Sequence, residues 1–415
     1  MGLNHSPRIV TDGLVLCVDS ANLKSYDKYE NLVTYSQKFD EAIWNKNNCS
    51  VVQNDIVAPD GTLTAARITA TVNDDVIVDN TYTATYNETP LTYSIFARAG
   101  TYRYIAIQSY VNIWSKTLVF DLQTGSPIAP FYPNDGRTWK IVPYPNGWYR
   151  CIVTYPANYY YYYRFRFALT NYVGPADAGI DSTTSPSVGQ YIYVWGAQLE
   201  KGTTATDYYP TTASLKNRST TILDLSGNGN NGTLINGPLY NNDNGGSLVF
   251  DGVDDYVYLG QPSVQITPNR FSIDFVLYPI NTDSIIVSPN SAGLDHFIRY
   301  DGVNQRINFQ ITETADVNNR ARFSTINSVP LNTYTHLVCS IDNLTLKIYV
   351  NGVLDSTFVE TITIANWSDF WHIGQRTNGT FRFNGRIPFF RVYNKELRET
   401  EVLQNFNAIR GRFGL

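Results

Sequence analysis

The chain has 415 residues, a formal net charge of -5 and no concentrated basic segment, which excludes the electrostatic footprint that nucleic-acid binding requires. Only 16% of the residues are charged, whereas 14% are aromatic, with 31 Tyr and 28 Gly. Aromatic residues suit half-buried strands and Gly suits turns, so the composition predicts an all-β protein. A chain of this length exceeds what one hydrophobic core supports, and we expect two domains.

The N-terminus lacks the charged and apolar segments of a secretory signal, and no apolar run is long enough to span a membrane. We therefore expect a protein that is made in the cytoplasm and is not inserted into a membrane. The cysteines are widely separated and show no CxxC or Cys/His spacing, which favours small buried hydrophobic residues over disulfide partners or zinc ligands. They are Cys17, Cys49, Cys151 and Cys339.

In chain order, the first predicted strand covers residues 14–18 (LVLCV). From about residue 31 to residue 212 the chain shows short strand-like runs separated by turn residues, with almost no helical period. This pattern predicts a jelly-roll-like sandwich. Its predicted strands cover residues 91–97, 104–108, 116–121, 148–154 and 191–199.

The second half of the chain predicts another set of strands followed by one helix. A strand over residues 270–278 precedes a hairpin over 334–342 and 346–353, and closing strands follow within 370–374 and 383–393. Asn384 and Gly385 suit a tight turn. In the hairpin, Leu346, Ile348 and Val350 are predicted to face a core, while Lys347, Tyr349 and Asn351 meet solvent or a neighbouring chain. Residues 394–406 predict a helix with an apolar stripe of Leu397, Val402, Leu403 and Phe406.

Two sequence blocks carry a family resemblance. Residues 223–233 (LDLSGNGNNGT) and 246–257 (GSLVFDGVDDYV), followed by the strands just described, resemble a laminin-G-like (concanavalin-A-like) β-sandwich. In sequences of that family this block follows closely on a segment like residues 11–26, but here roughly 190 residues intervene, too many for a loop in a compact domain. We therefore predict a discontinuous laminin-G-like domain, residues 1–29 and 213–415, with a second domain inserted at residues 30–212.

The inserted segment resembles carbohydrate-binding-module-like sandwiches of tailed-phage virion proteins. The residues that carry this resemblance are 31–44, 59–68, 146–150, 194–202 and 207–211. Together the two resemblances imply an all-β fold of two β-sandwiches, one of them jelly-roll-like and inserted in the other, with one short C-terminal helix.

Catalysis is not expected. Sandwiches of the concanavalin-A type include glucanases, and the resemblance implies a carboxylate pair at alternate positions of one strand. The matching strand carries a single acid, Asp274, between Ser272 and Val276, so an Asp274-dependent glycoside hydrolase remains only an alternative. His336 and His372 lie in strand patterns and are predicted to be structural.

No metal or cofactor is predicted either. Calcium takes hard oxygen ligands, but the spacing of the acidic turn residues is not that of an EF-hand, and Asp is favoured in turns for its own hydrogen bonds. The residues concerned are Asp224, Asn228, Asp251, Asp254 and Asp255.

The densest aromatic run, residues 159–167 (YYYYYRFRF), supplies the candidate ligand-binding residues. On a strand, its odd-numbered residues share one face, predicted to be core, and the other face carries Tyr160, Tyr162, Arg164 and Arg166. Packing or a subunit contact is favoured for that face, with sugar binding as the alternative, since Tyr and Arg are enriched at interfaces. A second candidate platform consists of Trp114, Trp139 and Trp148.

The resemblances imply a non-enzymatic structural protein of a tailed-phage virion, such as a capsid decoration, a short fibre or a tail accessory. Its expected partners are other virion proteins and further copies of itself, and its expected location is the virion, after synthesis in the host cytoplasm. The alternative is a carbohydrate-binding adhesin that recognises host surface glycans.

Overall fold

The chain folds as two compact units. One consists of Met1–Lys28 with Ser219–Leu415, the other of Tyr29–Arg218, and we call them the host unit and the insert. The predicted boundaries lie after residues 29 and 212. The computed structural model describes residues 8–80, 89–109, 116–128, 136–157, 165–170, 185–260, 262–280, 283–289, 296–313, 319–367 and 370–415.

The two ends of the insert lie side by side. The backbones of Asn31 and Lys216 exchange two hydrogen bonds, with N to O distances of 2.8 and 3.0 Å. In the host unit, the Ser219 N–H donates to the Asp27 carbonyl at 3.1 Å. The chain therefore leaves the host unit and returns to it at neighbouring positions.

The first strand, β1 (Leu14–Asp19), belongs to the host unit. The described part of the insert then forms twelve strands, and a 3-10 turn at Pro145–Gly147 joins two of them. These strands are β2 (Trp44–Asn47), β3 (Cys49–Ile56), β4 (Ala65–Ala70), β5 (Val76–Asn80), β6 (Leu91–Ala99), β7 (Tyr104–Ser109), β8 (Lys116–Asp121), β9 (Ser126–Ile128), β10 (Thr138–Tyr144), β11 (Trp148–Tyr155), β12 (Arg166–Leu169) and β13 (Tyr191–Lys201).

The insert is a sandwich of two antiparallel six-stranded sheets. One has the order β10-β11-β6-β13-β4-β3, the other β2-β5-β12-β7-β8-β9. Ile95 and Val153 of the first sheet and Val78 and Ile107 of the second belong to one buried cluster between the sheets. Because side chains alternate along a strand, each sheet keeps an outer face that points away from this core.

The host unit continues after the insert with sixteen strands, one α-helix and 3-10 turns at Asp243–Gly245 and Pro262–Gln265. They are β14 (Thr221–Ile222), β15 (Gly232–Ile235), β16 (Leu239–Asn241), β17 (Ser247–Asp251), β18 (Tyr256–Leu259), β19 (Arg270–Pro279), β20 (Ser284–Pro289), β21 (Phe297–Asp301), β22 (Arg306–Thr312), β23 (Asn319–Phe323), β24 (Thr335–Asp342), β25 (Thr345–Val350), β26 (Val353–Val359), β27 (Trp371–Ile373), β28 (Asn384–Ile387), β29 (Phe389–Tyr393) and α1 (Glu399–Phe413).

The host unit is a larger sandwich. Its nine-stranded sheet has the order β16-β17-β28-β19-β24-β25-β26, with β29 also paired to β19 and β1 paired to β29. Its eight-stranded sheet has the order β14-β15-β18-β27-β20-β21-β22-β23. Phe271 and Ile348 of the first sheet and Phe309 and Trp371 of the second share the buried core.

Helix α1 covers the outer face of the nine-stranded sheet. Val402 packs against Val338, and Phe413 packs against Phe389. The Glu401 carboxylate accepts from the backbone N–H of Arg398 at the helix start, and Gly414 ends the helix in a left-handed conformation. No helix in the described ranges is long and apolar enough to cross a membrane.

The all-β fold class is confirmed: the described elements are strands in four antiparallel sheets and one C-terminal helix. The helix bounds were wrong, since α1 begins five residues later and ends seven residues later than predicted. Residues 394–398 stay irregular because they bond β19, where the Leu397 N–H donates to Ser272 Oγ at 2.9 Å. Leu403 is exposed, and the buried stripe consists of Val402, Asn405, Ile409 and Phe413.

Two further predictions were wrong. Tyr349 does not meet solvent, because it packs with Val10 and Val402 on the covered outer face of the nine-stranded sheet. Asn384 and Gly385 form no tight turn but lie within β28. There the backbone passes so close to β19 that a Cβ on Gly385 would lie 2.3 Å from the Tyr278 carbonyl oxygen, which only glycine permits.

Candidate functional site

The aromatic run of the insert is described only at its end. Tyr160, Tyr162 and Arg164 lie outside the described residues, as does Trp114. Phe165 and Phe167 are buried in the insert core, as predicted for their face. Arg166 lies between them on the outer face of β12, with its guanidinium 3.9 Å from the Asp79 carboxylate.

Trp139 and Trp148 do not share a surface. Trp139 lies opposite Val153 on the paired strand and packs against the core between the sheets. Trp148 lies on the other face of the same sheet, is 1% exposed and donates its indole N–H to the Val57 carbonyl at 3.2 Å. Both rings are used in packing, so the structure does not assemble them into one platform.

Asp274 is fully buried beneath α1. Its carboxylate accepts from Asn405 Nδ2 at 2.7 Å, bonds His336 Nε2 at 2.9 Å and pairs with Arg391 at 3.3 Å. Burial alone would raise the pKa of Asp274, but the facing Arg391 and His336 hold it below its ordinary value. All of these partners are protein side chains, so the arrangement links the sheet to the helix.

Three acids meet in the turn between β17 and β18. Carboxylate oxygens of Asp251, Asp254 and Asp255 lie within 4.8 Å of one another. Asp251 Oδ1 accepts from the Val253 N–H at 2.7 Å, and Asp255 Oδ2 accepts from the Asp251 N–H at 3.2 Å. Burial, and then the neighbouring Asp251, raise the pKa of Asp255 to about 7.

This acidic turn contains hard oxygen donors, but the three carboxylates supply only part of the roughly six to eight oxygens that calcium takes. Two of the acids bond the turn backbone itself, as predicted for Asp in a turn. Asp224 has the same role elsewhere, since its carboxylate accepts from the backbone N–H groups of Cys17 and Ser226. Hydrogen bonding to the turn backbone therefore explains why acidic residues occupy these positions.

Four rings lie together on the outer face of the eight-stranded sheet, just after the acidic turn. Tyr256 and Tyr258 alternate along β18 with the core residue Val257, and His372 lies on the neighbouring strand directly opposite Tyr258. Phe370 precedes His372 by two residues. All four side chains are half-buried. We call them the four-ring surface.

The four-ring surface is built from one stacked pair and one tilted pair. The Tyr258 and Phe370 ring centroids are 5.0 Å apart at an interplanar angle of 28°, and those of Tyr256 and His372 are 4.9 Å apart at 35°. Burial lowers the pKa of His372, which keeps its imidazole neutral near pH 7. The surface is therefore uncharged and aromatic, bordered by carboxylates.

The sequence did not predict this surface, because His372 was predicted to be structural, Tyr256 lies in the family motif of residues 246–257 and Tyr258 lies just after that motif. The spacing of the four aromatic residues in the sequence nevertheless indicates this surface. Tyr256 and Tyr258, like Phe370 and His372, are two residues apart, which places each pair on one face of its strand.

The host unit matches a known family. A laminin-G model of the concanavalin A-like lectin/glucanases superfamily matches residues 251–403, which lie within the host unit. The host unit therefore contains a concanavalin A-like domain. No curated protein matches the sequence.

Solved structures match part of the chain at low identity. The botulinum neurotoxin type G receptor binding domain is 18% identical, with a TM-score of 0.38 over 45% of this chain and 48% of that chain. The binding domain of Paraclostridial mosquitocidal protein 1 is 16% identical, with a TM-score of 0.39 over 45% and 49%. The chain thus spans about half the length of these toxin domains.

Domain 4 of an extracellular arabinanase from Geobacillus stearothermophilus, in complex with arabinotriose, is 18% identical. Its TM-score is 0.33 over 44% of this chain and 91% of that chain. Alignments with such identities and TM-scores do not assign a function.

Proposed function

We propose that the protein is a carbohydrate-binding protein that recognises surface glycans, with the four-ring surface of the host unit as its sugar-binding site. The observation that carries this proposal is the assembly of four half-exposed rings on one outer sheet face. The C–H-rich face of a pyranose stacks on flat aromatic rings, and the two ring pairs offer room for more than one sugar.

The acidic turn supports the same proposal. It leads directly into β18, whose first residue is Tyr256, so carboxylates border the aromatic surface. Asp254 is half-buried and its carboxylate makes no hydrogen bond with the described residues. Sugar hydroxyls donate strongly to ionised carboxylates, whereas an anionic sugar would be repelled there. The site thus favours neutral sugars.

We propose binding without turnover. A glycosidase requires two accessible carboxylates on either side of the bond that it cleaves. The acid that family resemblance singles out, Asp274, is fully buried and already paired with Arg391 beneath α1. A role in a tailed-phage virion and assembly with further copies of the chain both stay predictions of the sequence.

The test is binding to an array of neutral oligosaccharides that contain glucosyl, galactosyl and arabinosyl units. Tyr258→Ala removes one ring of a stacked pair and should weaken binding about 5-fold, because ring stacking contributes on the order of 1 kcal/mol. Tyr258→Phe keeps the ring and is the matched control, so it should bind nearly as well as the wild type.

Thermal unfolding of both variants shows whether the host unit still folds. The proposal would be contradicted if the wild-type protein bound no neutral glycan on the array. Equal binding by a folded Tyr258→Ala variant would also contradict it, because the sugar would then lie elsewhere.

A further inference from the structure

A second ligand surface lies on the insert, on the outer face of its β10-β11-β6-β13-β4-β3 sheet. β13 runs between β6 and β4, and Tyr193 on β13 lies directly opposite Arg98 on one side and Arg67 on the other. The three side chains therefore cross the sheet in one line. We call them the arginine–tyrosine row.

All three members of the row point away from the insert core. The neighbours of Tyr193 along its strand, Ile192 and Val194, are fully buried, and so are Ala66 and Ile68 on either side of Arg67. Tyr193, Arg67 and Arg98 themselves are half-buried. Their aliphatic and aromatic parts are thus supported by the sheet while their polar ends reach its surface.

The row has an excess of positive charge. The Arg67 guanidinium lies 3.5 Å from the Asp55 carboxylate, whereas Arg98 forms no ion pair with any described residue. Of the two guanidinium groups in the row, only that of Arg67 therefore has a carboxylate partner among the described residues. A guanidinium presents paired N–H donors that match the two oxygens of a carboxylate or a sulfate.

The tyrosines beside the row are held in place. The Tyr191 and Tyr193 ring centroids are 5.4 Å apart in an edge-to-face arrangement, and the Arg67 guanidinium lies 5.5 Å from the Tyr191 ring centroid. Tyr191 lies across Gly100, where an added Cβ would come within 2.4 Å of its ring. An aromatic surface that is ordered before binding loses less entropy when a ligand arrives.

We propose that this row binds an acidic glycan, with a sugar ring stacked on Tyr193 and its anionic group paired with Arg98. A fixed aromatic ring flanked by cations matches a ligand that combines a C–H-rich ring with a negative charge. Two arginines on a chain with a net charge of -5 are too few for a nucleic-acid surface. The inference is independent of the four-ring surface, whose acidic border disfavours the same ligand.

The test compares three probes on the full chain: a glucuronate-containing hyaluronan oligosaccharide, dextran sulfate and neutral dextran. Arg98→Gln should weaken binding of the acidic probe at least about 10-fold, because a charge-assisted hydrogen bond is lost. Arg98→Lys keeps the charge without the paired donors. It should bind the acidic probe more weakly than the wild type but more strongly than Arg98→Gln does. The matched control is Lys140→Gln, which removes an exposed cation from the same sheet face.

Stronger binding of hyaluronan than of dextran sulfate identifies a carboxylate ligand, and the reverse order identifies a sulfate ligand. Equal effects of Arg98→Gln and Lys140→Gln would overturn the inference, since only general charge would then matter. If neutral dextran bound as strongly as the acidic probes, the inference would be overturned as well. A change in the oligomeric state of Arg98→Gln without a change in glycan binding would assign the row to a protein contact instead. Tyr258→Ala should leave hyaluronan binding unchanged.

Discussion

The host unit and the insert use the outer face of a large sheet in opposite ways. In the host unit, α1 covers the nine-stranded sheet, and the charges beneath it, Asp274 and Arg391, are buried and paired with each other. In the insert, Arg67 and Arg98 remain half-exposed on an uncovered part of the sheet. Removal of one partner from a buried charge pair destabilises a fold, whereas charge left open at a sheet surface is available to a ligand.

In the insert, the outer face of the β10-β11-β6-β13-β4-β3 sheet carries both covered and open charge. Toward the other end of β13, Glu200 is fully buried and accepts hydrogen bonds from the Thr206 backbone and hydroxyl at 2.9 and 2.6 Å. Arg218 lies 3.5 Å from the same carboxylate. The segment after β13 therefore covers one end of the face, and the arginine–tyrosine row lies at the end that it leaves open.

The largest effect is expected where the buried charge loses its partner. Asp274→Ala leaves Arg391 buried without a counter-charge and should lower the free energy of unfolding of the host unit by about 3 to 5 kcal/mol. Differential scanning calorimetry measures this as a large drop in the melting temperature of the host unit.

The matched control is Asp12→Ala, which removes an exposed acid paired with Lys395 in the same unit. A surface pair contributes little, so the control should change stability by no more than about 1 kcal/mol. If Asp274→Ala and Asp12→Ala lower the free energy of unfolding by the same amount, the contrast between covered and open charge is wrong.

A smaller effect is expected at the acidic turn. The pKa of Asp255 is raised to about 7 by burial and by Asp251, so the folded state holds a proton there that the unfolded state releases near pH 4. Stability should therefore fall as the pH rises from about 4 through 7.

Asp255→Asn removes this titration while keeping an oxygen that can accept from the Asp251 N–H. The variant should be more stable than the wild type at pH 8, by at least about 1 kcal/mol, and nearly equal to it at pH 4. Urea unfolding at both pH values, in EDTA so that no divalent cation neutralises the turn, gives the comparison. A stability difference that does not change with pH would contradict the assigned cause.

The smallest effect on the host unit is expected from removing the whole insert. Because Asp27 and Ser219 are joined by a backbone hydrogen bond, a short linker can replace residues 29–218. The host unit should keep a cooperative unfolding transition at nearly its original temperature. Loss of that transition would show that the two units depend on each other for folding.

Much of the fold was readable from strand patterns. The alternation of apolar residues predicted β6, β11 and β19 to within one or two residues, because strands with one face in a core repeat every two positions. The interrupted family motif pointed to an insertion, which no local pattern could have done.

The rest depended on contacts between distant segments. The helix start follows from a hydrogen bond of Ser272, more than 120 residues earlier in the chain, and the burial of Tyr349 follows from its contact with Val10. The two described members of the tryptophan platform, Trp139 and Trp148, are separated for the same reason. Trp148 is a strong aromatic signal in sequence, but its ring fills a buried cluster, whereas Tyr193 gains its importance only from neighbours on two other strands.

The pairing of β1 with β29 sets an order of events during synthesis. Leu14 lies opposite Tyr393 in the folded sheet, so the first strand of the host unit emerges from the ribosome long before its partner exists. The insert, whose strands pair only among themselves, can fold as soon as it has emerged, since domains fold as units during translation. We therefore expect the apolar segment LVLCV to stay unpaired in the nascent chain until β29 has been synthesised, and to be the segment that a chaperone protects.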